Sequence, residues 1–231
     1  MVGKALILGI GNILWSDEGF GVRAVEFLHR QYQFDDNVQL MDGGTQGVYL
    51  VHHVQEADIL VVFDAVDYGL TPGTIRLVEG DDVPKFLGAK KMSLHQTGFQ
   101  EVLALAEMLG KYPQHLLLVG VQPEQLEDYG GSLTSVVQQQ IEPAISHALE
   151  WLQQFDIKVT ARDKPLPETE SLAGAEVCLT KYEKERPAPE EACRVGDERV
   201  LKSKEFKVEY RPHPLEPDSK ISCDVDHRGQ Y

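Results

Sequence analysis

Cysteine is scarce in this 231-residue chain: only Cys178, Cys193 and Cys223 occur, with no Cys-x-x-Cys pair among them. An odd number at irregular spacing argues against a disulfide framework or a zinc knuckle, and leaves reduced thiols in a mobile segment as the expectation. Long apolar runs are absent as well. None approaches the roughly 20 residues that would span a bilayer, so no membrane insertion is expected. Met1-Val2-Gly3-Lys4 and the short run Ala5 to Ile10 lack the length and cleavage site of a signal peptide, which makes a cytoplasmic protein the expectation. Positive charge is in short supply: 22 Lys and Arg stand against 37 Asp and Glu, for a net charge of -15. Most of the imbalance lies in residues 1–161, with 21 acidic and 9 basic side chains. A surface of that sign repels phosphate backbones, so nucleic acid is not an expected partner. The chain also has no Gly-x-Ser-x-Gly elbow, no His-Glu-x-x-His helix and no cysteine within residues 1–161, which disfavours covalent catalysis.

What is present is an alternation of buried strands and amphipathic helices. Lys4 to Ile10, Asn37 to Asp42, Asp58 to Val66 and His115 to Val121 are short apolar runs that read as strands, and Gly73 to Val78 as an edge strand. Between them, Glu18 to Tyr32, Gly47 to Glu56, Asp82 to Leu87 and Phe99 to Leu109 read as helices, and Leu133 to Phe155 as a long closing helix. Such alternation predicts an α/β three-layer sandwich with a mainly parallel, roughly five-stranded twisted sheet between helices. Residues 1–161 form the expected domain. Residues 162–231 hold seven of the twelve prolines and 29 charged residues but few Leu, Ile, Val or Phe, and read as a disordered tail.

In open α/β sheets, ligands bind beyond the carboxyl ends of the parallel strands, so the polar residues at those ends are the candidates. They are Asn12, Asp17 and Glu18 after the first strand, Asp42 and Thr45 after the second, Asp64 and Asp67 at the third, and His95 and Gln96 in a later loop. Glu18 starts a helix, where a carboxylate is electrostatically comfortable, with Ser16 or Asp17 as the expected N-cap. Asp64 ends a central apolar strand, where a charge is costly unless paired or used. Two carboxylates and an imidazole form an oxygen and nitrogen ligand set suited to zinc or nickel. Gly9 to Leu14 superficially matches a dinucleotide fingerprint, but Leu14 replaces its third glycine and a carboxylate stands where a pyrophosphate would sit. The adjacent His52 and His53 read as surface or packing residues.

Five motifs together resemble the nickel-iron hydrogenase maturation endopeptidases. They are Gly9 to Val22 (GIGNILWSDEGFGV), Asp42 to Gly47 (DGGTQG), Phe63 to Gly69 (FDAVDYG), Lys90 to Gln96 (KKMSLHQ) and Leu118 to Pro123 (LVGVQP), within a resemblance running from about Lys4 to Leu152. Trp15 and the run Asp128 to Leu133 look most like the branch serving membrane-associated uptake hydrogenases. The resemblance implies an endopeptidase that removes the C-terminal extension of the hydrogenase large-subunit precursor after nickel insertion. It implies that Glu18, Asp64 and His95 contact nickel supplied by the substrate, with no permanent cofactor of the protein's own. It also implies that Asp42, Gly43, Gly44 and Thr45 contribute to substrate binding, with a plain tight turn as the alternative reading of those glycines. Two other readings remain open at this point: a nickel-sensing chaperone that docks on the precursor without cutting it, and a related α/β peptidase with another substrate.

Overall fold

The computed structural model describes residues 3–88, 97–126, 128–172 and 174–186. In chain order the elements are β1 (Ala5–Ile10), a 3-10 turn (Ser16–Gly19), α1 (Phe20–Gln31), β2 (Tyr32–Phe34), β3 (Val38–Gly44), a 3-10 turn (Gly47–Leu50), α2 (Val51–Glu56) and β4 (Ile59–Ala65). Then follow β5 (Ile75–Glu79), α3 (Asp82–Gly88), α4 (Thr97–Met108), β6 (His115–Val121), α5 (Ser135–Gln138), α6 (Ile141–Leu152), β7 (Val159–Ala161) and α7 (Leu179–Glu185), with 3-10 turns between the last of them. Five strands form one sheet in the order β3-β1-β4-β6-β5. β1, β3, β4 and β6 are parallel, and β5 closes the edge antiparallel to β6.

Because side chains alternate across a strand, the apolar runs divide between two cores. Ile59, Val61, Phe63 and Ala65 of β4 face α1 and α6 together with Ala5, Ile7, Leu117 and Val119. Leu60 and Val62 face α2, α3 and α4 together with Leu6, Leu8, Leu116 and Leu118. Helices therefore cover both faces, which is why β4 and most of β1 and β6 are apolar without alternation. The expected sandwich is what the chain forms. Among the described residues, no helix is long and apolar enough to cross a membrane.

Two expectations need correction. The closing helix is broken into α5 and α6, joined through Gln139 and Gln140. Pro143 sits in the first turn of α6, where its missing N–H is harmless, whereas in a continuous helix its ring would collide with the carbonyl four residues earlier. The second correction concerns the segment after residue 161. β7 pairs antiparallel with β2, and the chain then runs back along α1, from its end toward its start. The Arg162 amide donates to the Gln31 carbonyl, the Leu166 amide to the Arg30 carbonyl, and the Ser171 hydroxyl to the Glu26 carboxylate. Finally Arg23 donates to the Val177 carbonyl at 2.6 Å and stacks against the Tyr182 ring.

Residues 162–172 and 174–186 thus lie along α1 as a strap where disorder was expected, whereas residue 173 and residues 187–231 of that segment lie outside the described residues. The reason is chemical. Counting aliphatic residues misses this interface because α1 presents to it a buried ion pair, Arg23 to Glu26 at 2.9 Å, whose remaining hydrogen-bonding capacity must be met by something other than water. Cys178, itself part of this strap, is fully buried, so it is not a thiol in a mobile segment. Cys193 and Cys223 lie outside the described residues.

Candidate active site

The parallel strands all end at one edge of the sheet, and the loops that leave them meet there. Glycine makes the first meeting close. Gly11, at φ 131°, lies where any Cβ would overlap the Glu18 carbonyl, so the turn carrying Glu18 is seated directly on the end of β1. Gly21 has a similar role in the first turn of α1, since a Cβ there would collide with the Ile10 and Phe63 carbonyl oxygens. The Ser16–Gly19 turn consequently packs against β4, the strand that carries Asp64. Glu18 and Asp64 are both buried and stand at the same edge.

Asp17 is not the N-cap expected for the helix. The cap position of α1 is Gly19, without a side-chain cap bond. Asp17 is 0 % exposed and turns the other way, into the loop that follows β6. Its Oδ2 accepts from the amides of Glu124 (2.8 Å) and Gln125 (2.9 Å) and from the Thr134 hydroxyl (3.1 Å), while Oδ1 accepts from the Thr134 amide (2.7 Å). Four donors satisfy the buried charge without a cation. The same loop is tied on either side: the Ser16 hydroxyl donates to the Ser132 carbonyl at 2.8 Å and the Gly130 amide to the Leu14 carbonyl at 2.7 Å. Trp15 and Tyr129 pack edge to face, 5.2 Å between centroids. Ser16 itself holds a left-handed backbone, φ 45°, which costs about 1 kcal/mol or more for a residue with a side chain and persists only because its surroundings impose it. Strain next to Glu18 marks a turn whose shape is fixed from outside.

Asp64 has its own scaffold. It pairs in register with Gly120 of β6, and the Tyr68 hydroxyl lies 3.3 Å from where a Cβ at Gly120 would be. Burial, and then the charge of Asp64, push the Tyr68 phenol well above its ordinary range, which keeps it protonated beside the carboxylate. The loop bearing Tyr68 is held by Gln122, whose side-chain oxygen accepts from the amides of Tyr68 (2.8 Å) and Leu70 (3.1 Å) and whose nitrogen donates to Asp67 (3.0 Å). Asp67 also accepts from the Gly69 amide.

Asp42 lies near the end of β3 opposite Gly9, and the Gly11 amide donates to the Gly44 carbonyl, so the Asp42-Gly43-Gly44-Thr45 segment borders the same edge. Gly43 is buried against Leu8, Gly44 takes φ 43°, and Thr45 is exposed. Burial raises the Asp42 carboxyl above its ordinary value, partly offset by the Gly44 amide. His95 lies outside the described residues, as does Gln96. α4 starts at Thr97, packs Phe99, Val102 and Leu103 into the core beside Leu60 and Val62, and so lies on the face of the sheet that strand alternation gives to Asp64. Among the described residues, no three His, Cys, Asp or Glu side chains gather closely enough to hold a metal unaided. A wide cleft of about 1110 Å³ opens at the opposite, amino end of the strands, lined by residues such as Lys4, Asp58 and His115. Its position is the wrong one for chemistry on a parallel sheet.

Gln122 and Tyr68 carry no assigned role in the sequence, and Asp17 only that of a strand-end candidate or helix cap, because their partners lie far away along the chain. Gln122 could have been singled out as an amide directly following an apolar strand inside a family-like motif. Asp17 gave no local signal that distinguishes it from a helix cap.

The profile of the hydrogenase maturation protease family, HycI, matches residues 22–151. The chain is 63% identical over 200 residues to the hydrogenase expression/formation protein HupD of Thiocapsa roseopersicina, covering 87% of this chain and 90% of that one. It is 40% identical over 161 residues to the hydrogenase 2 maturation protease of Escherichia coli K12, covering 69% of this chain and 97% of that protein. The fold is similar to the solved E. coli hydrogenase maturating endopeptidase HybD, with a TM-score of 0.66, 38% identity, and coverage of 69% of this chain and 98% of that one. The HupD match spans the strap, whereas a protein used up by 161 aligned residues has little room for it. On these grounds the chain belongs to the hydrogenase maturation protease family.

Proposed function

We propose that this protein is the endopeptidase that removes the C-terminal extension from the nickel-loaded large-subunit precursor of a nickel-iron hydrogenase, and that Glu18, Asp64 and His95 read the nickel carried by that substrate. The observation that carries the reading is the seating of the Glu18 turn against the strand that carries Asp64, at the carboxyl edge of a maturation-protease fold. Nickel held by precursor thiolates retains affinity for carboxylate and imidazole, so these side chains can anchor the substrate and place the scissile peptide next to them. An unloaded precursor lacks the anchor. That makes cleavage conditional on metal insertion without any metal resident in the enzyme.

The protein's own contribution is positional. Asp17 and the strained Ser16 hold the Glu18 turn, Gln122 holds the loop after Asp64, and the Asp42 to Thr45 loop lets an extended peptide approach the backbone closely at its glycines. Asp64 and the protonated Tyr68 phenol put an acceptor and a donor side by side at this edge. A cytoplasmic location suits this role.

The test is to mix the protein with precursor, with and without nickel, and to follow the precursor mass. Loss of the C-terminal peptide from the nickel-loaded form alone is the expected outcome. A stable complex with uncut, loaded precursor would point to the non-cleaving nickel-sensing chaperone, and release of peptide from substrates without a metal would point to a less specific peptidase.

A further inference from the structure

The strap follows one face of α1 toward the helix start. The Arg30 side chain donates to the Leu166 carbonyl (3.1 Å), the His29 ring pairs with the Glu170 carbonyl (3.0 Å), the Ser171 hydroxyl donates to Glu26 (2.7 Å) and Arg23 donates to the Val177 carbonyl (2.6 Å). Arg30, Glu26 and Arg23 follow the spacing of a single helix face. One step further on that face is Gly19, the last residue of the turn that carries Glu18. At a rise of about 1.5 Å per residue, it stands about 6 Å from Arg23 along the axis.

The end of the strap reaches that turn from a second side. Tyr182 of α7 lies beside Arg23, with the guanidinium carbon 5.6 Å from the ring centre. Burial raises the Tyr182 phenol above its ordinary value, and Arg23, Arg186, Glu183 and the Tyr129 phenol are all within electrostatic reach of it. Tyr129 in turn packs on Trp15, whose backbone bridges to Tyr129 and Gly131. Glu18 is therefore flanked by two residues tied to the strap, Trp15 before it through Tyr129 and Arg23 after it directly. The pair that anchors the strap also neighbours the Asp42 to Thr45 segment: after burial and the Gly44 amide, the charges of Glu26 and Arg23 act on the Asp42 carboxyl.

The strained Ser16–Gly19 turn takes its shape from its surroundings, and the loop after β6 supports it on one flank. We infer that the end of the strap braces the other flank, and that Arg23 and Tyr182 are positioning residues, which keep the Glu18 turn seated against the strand that carries Asp64. The inference rests on the reading under the previous heading and gives a part to a segment which that reading leaves idle. Arg23 suits the task because its guanidinium is planar and forked, so that one side chain meets the Glu26 carboxylate, the Val177 carbonyl and the Tyr182 ring together. Both members of the pair are buried, so lifting the strap strips hydrogen bonds from charged groups, and the closed arrangement is held firmly. A misplacement of about 1 Å among reacting groups costs about a hundredfold in rate, which is how a brace that never meets the substrate controls turnover.

The test reads the turn and the reaction separately, in the full-length protein carrying W151F, so that Trp15 is its one tryptophan. The variants are R23L/E26L, which removes both side-chain anchors of the strap together and leaves no buried charge unpaired, and Y182A. R162A is the control: its side chain donates to the Tyr32 carbonyl at the start of the strap, remote from Glu18 along α1. In R23L/E26L and in Y182A, quenching of Trp15 emission by acrylamide should rise about twofold, because the turn opens more often. With nickel-loaded precursor, kcat should fall at least about tenfold while KM stays within about threefold, the signature of lost positioning without lost binding. R162A should stay within about twofold of the W151F protein in all three measurements. Unchanged Trp15 quenching in either variant, an equal rise in R162A, or a KM effect with kcat intact each overturns the brace. If the W151F protein and wild type release no peptide while Trp15 responds as described, the brace stands and the endopeptidase reading goes; cleavage by wild type with Trp15 unmoved in R23L/E26L does the reverse.

Discussion

Asp17→Asn is the substitution that asks most of the scaffold, because it keeps shape and removes charge. In one orientation the amide oxygen serves the three donors now on Oδ2 and the NH2 group faces the Thr134 amide; in the other, three donors face an NH2 group. The cheaper orientation still loses one hydrogen bond to a charged acceptor, ~1.5–3 kcal/mol, and turns three charge-assisted bonds into neutral ones of roughly half the strength. The sum is about 4–7 kcal/mol, a large share of the stability of a domain of this size. In urea, with a slope of ~1–3 kcal/mol per molar, the unfolding midpoint should fall by at least about 1 M. The consequence for function is specific. Where the variant is still folded, the loop after β6 no longer braces the strained turn, and cleavage of nickel-loaded precursor should slow more than its binding weakens, because Glu18 loses its position while the Asp42 to Thr45 segment and the loop after β4 remain. A stability loss below about 1 kcal/mol, together with a wild-type cleavage rate, would refute the argument that four donors on one buried carboxylate hold the site.

Two further outcomes follow from the same structure. Arg23→Leu leaves Glu26 buried with the Ser171 hydroxyl and strips the Val177 carbonyl of its donor, so denaturant unfolding should show a loss of about 3–5 kcal/mol, while the double change R23L/E26L should recover most of it; a single variant as stable as wild type would mean that the strap is not held through this pair. Asp42→Asn bears on pH: burial raises the folded carboxyl above its ordinary value, so the wild-type side chain contributes stability below its unfolded pKa and loses it as pH rises through the folded one. Unfolding measured across pH should find the Asn variant gaining on wild type between acid and neutral pH, and a difference that stays constant would contradict burial as the dominant cause.

Much of the fold was legible because strands buried on both faces leave continuous apolar runs. Leu60 to Phe63 and Leu116 to Val119 are such runs, and each is a central strand. The short pairing of β2 with β7 and the strap were not legible, since their bonds are made by backbone groups and by Arg23, Glu26 and Arg30, residues that look like ordinary surface charge on a helix. At the site, the carboxyl ends of strands pointed to Glu18 and Asp64, and the motifs made the choice specific. Asp17 was misread because an aspartate ahead of a helix is so often a cap, and only the tertiary structure shows that its donors come from residues 124, 125 and 134. Asp42 and Thr45 stand at the carboxyl edge, where the end of the second strand placed them.

Whether Glu18, Asp64 and His95 act together on nickel-loaded substrate is decided by single-turnover cleavage. Glu18→Gln, Asp64→Asn and His95→Ala, each confirmed to unfold like wild type, should process nickel-loaded precursor at least about a hundredfold more slowly, the scale expected when a positioning or acid–base group is lost. Cleavage within twofold of the wild-type rate by any of the three would remove that residue from the site, and by all three would contradict a nickel-reading trio altogether.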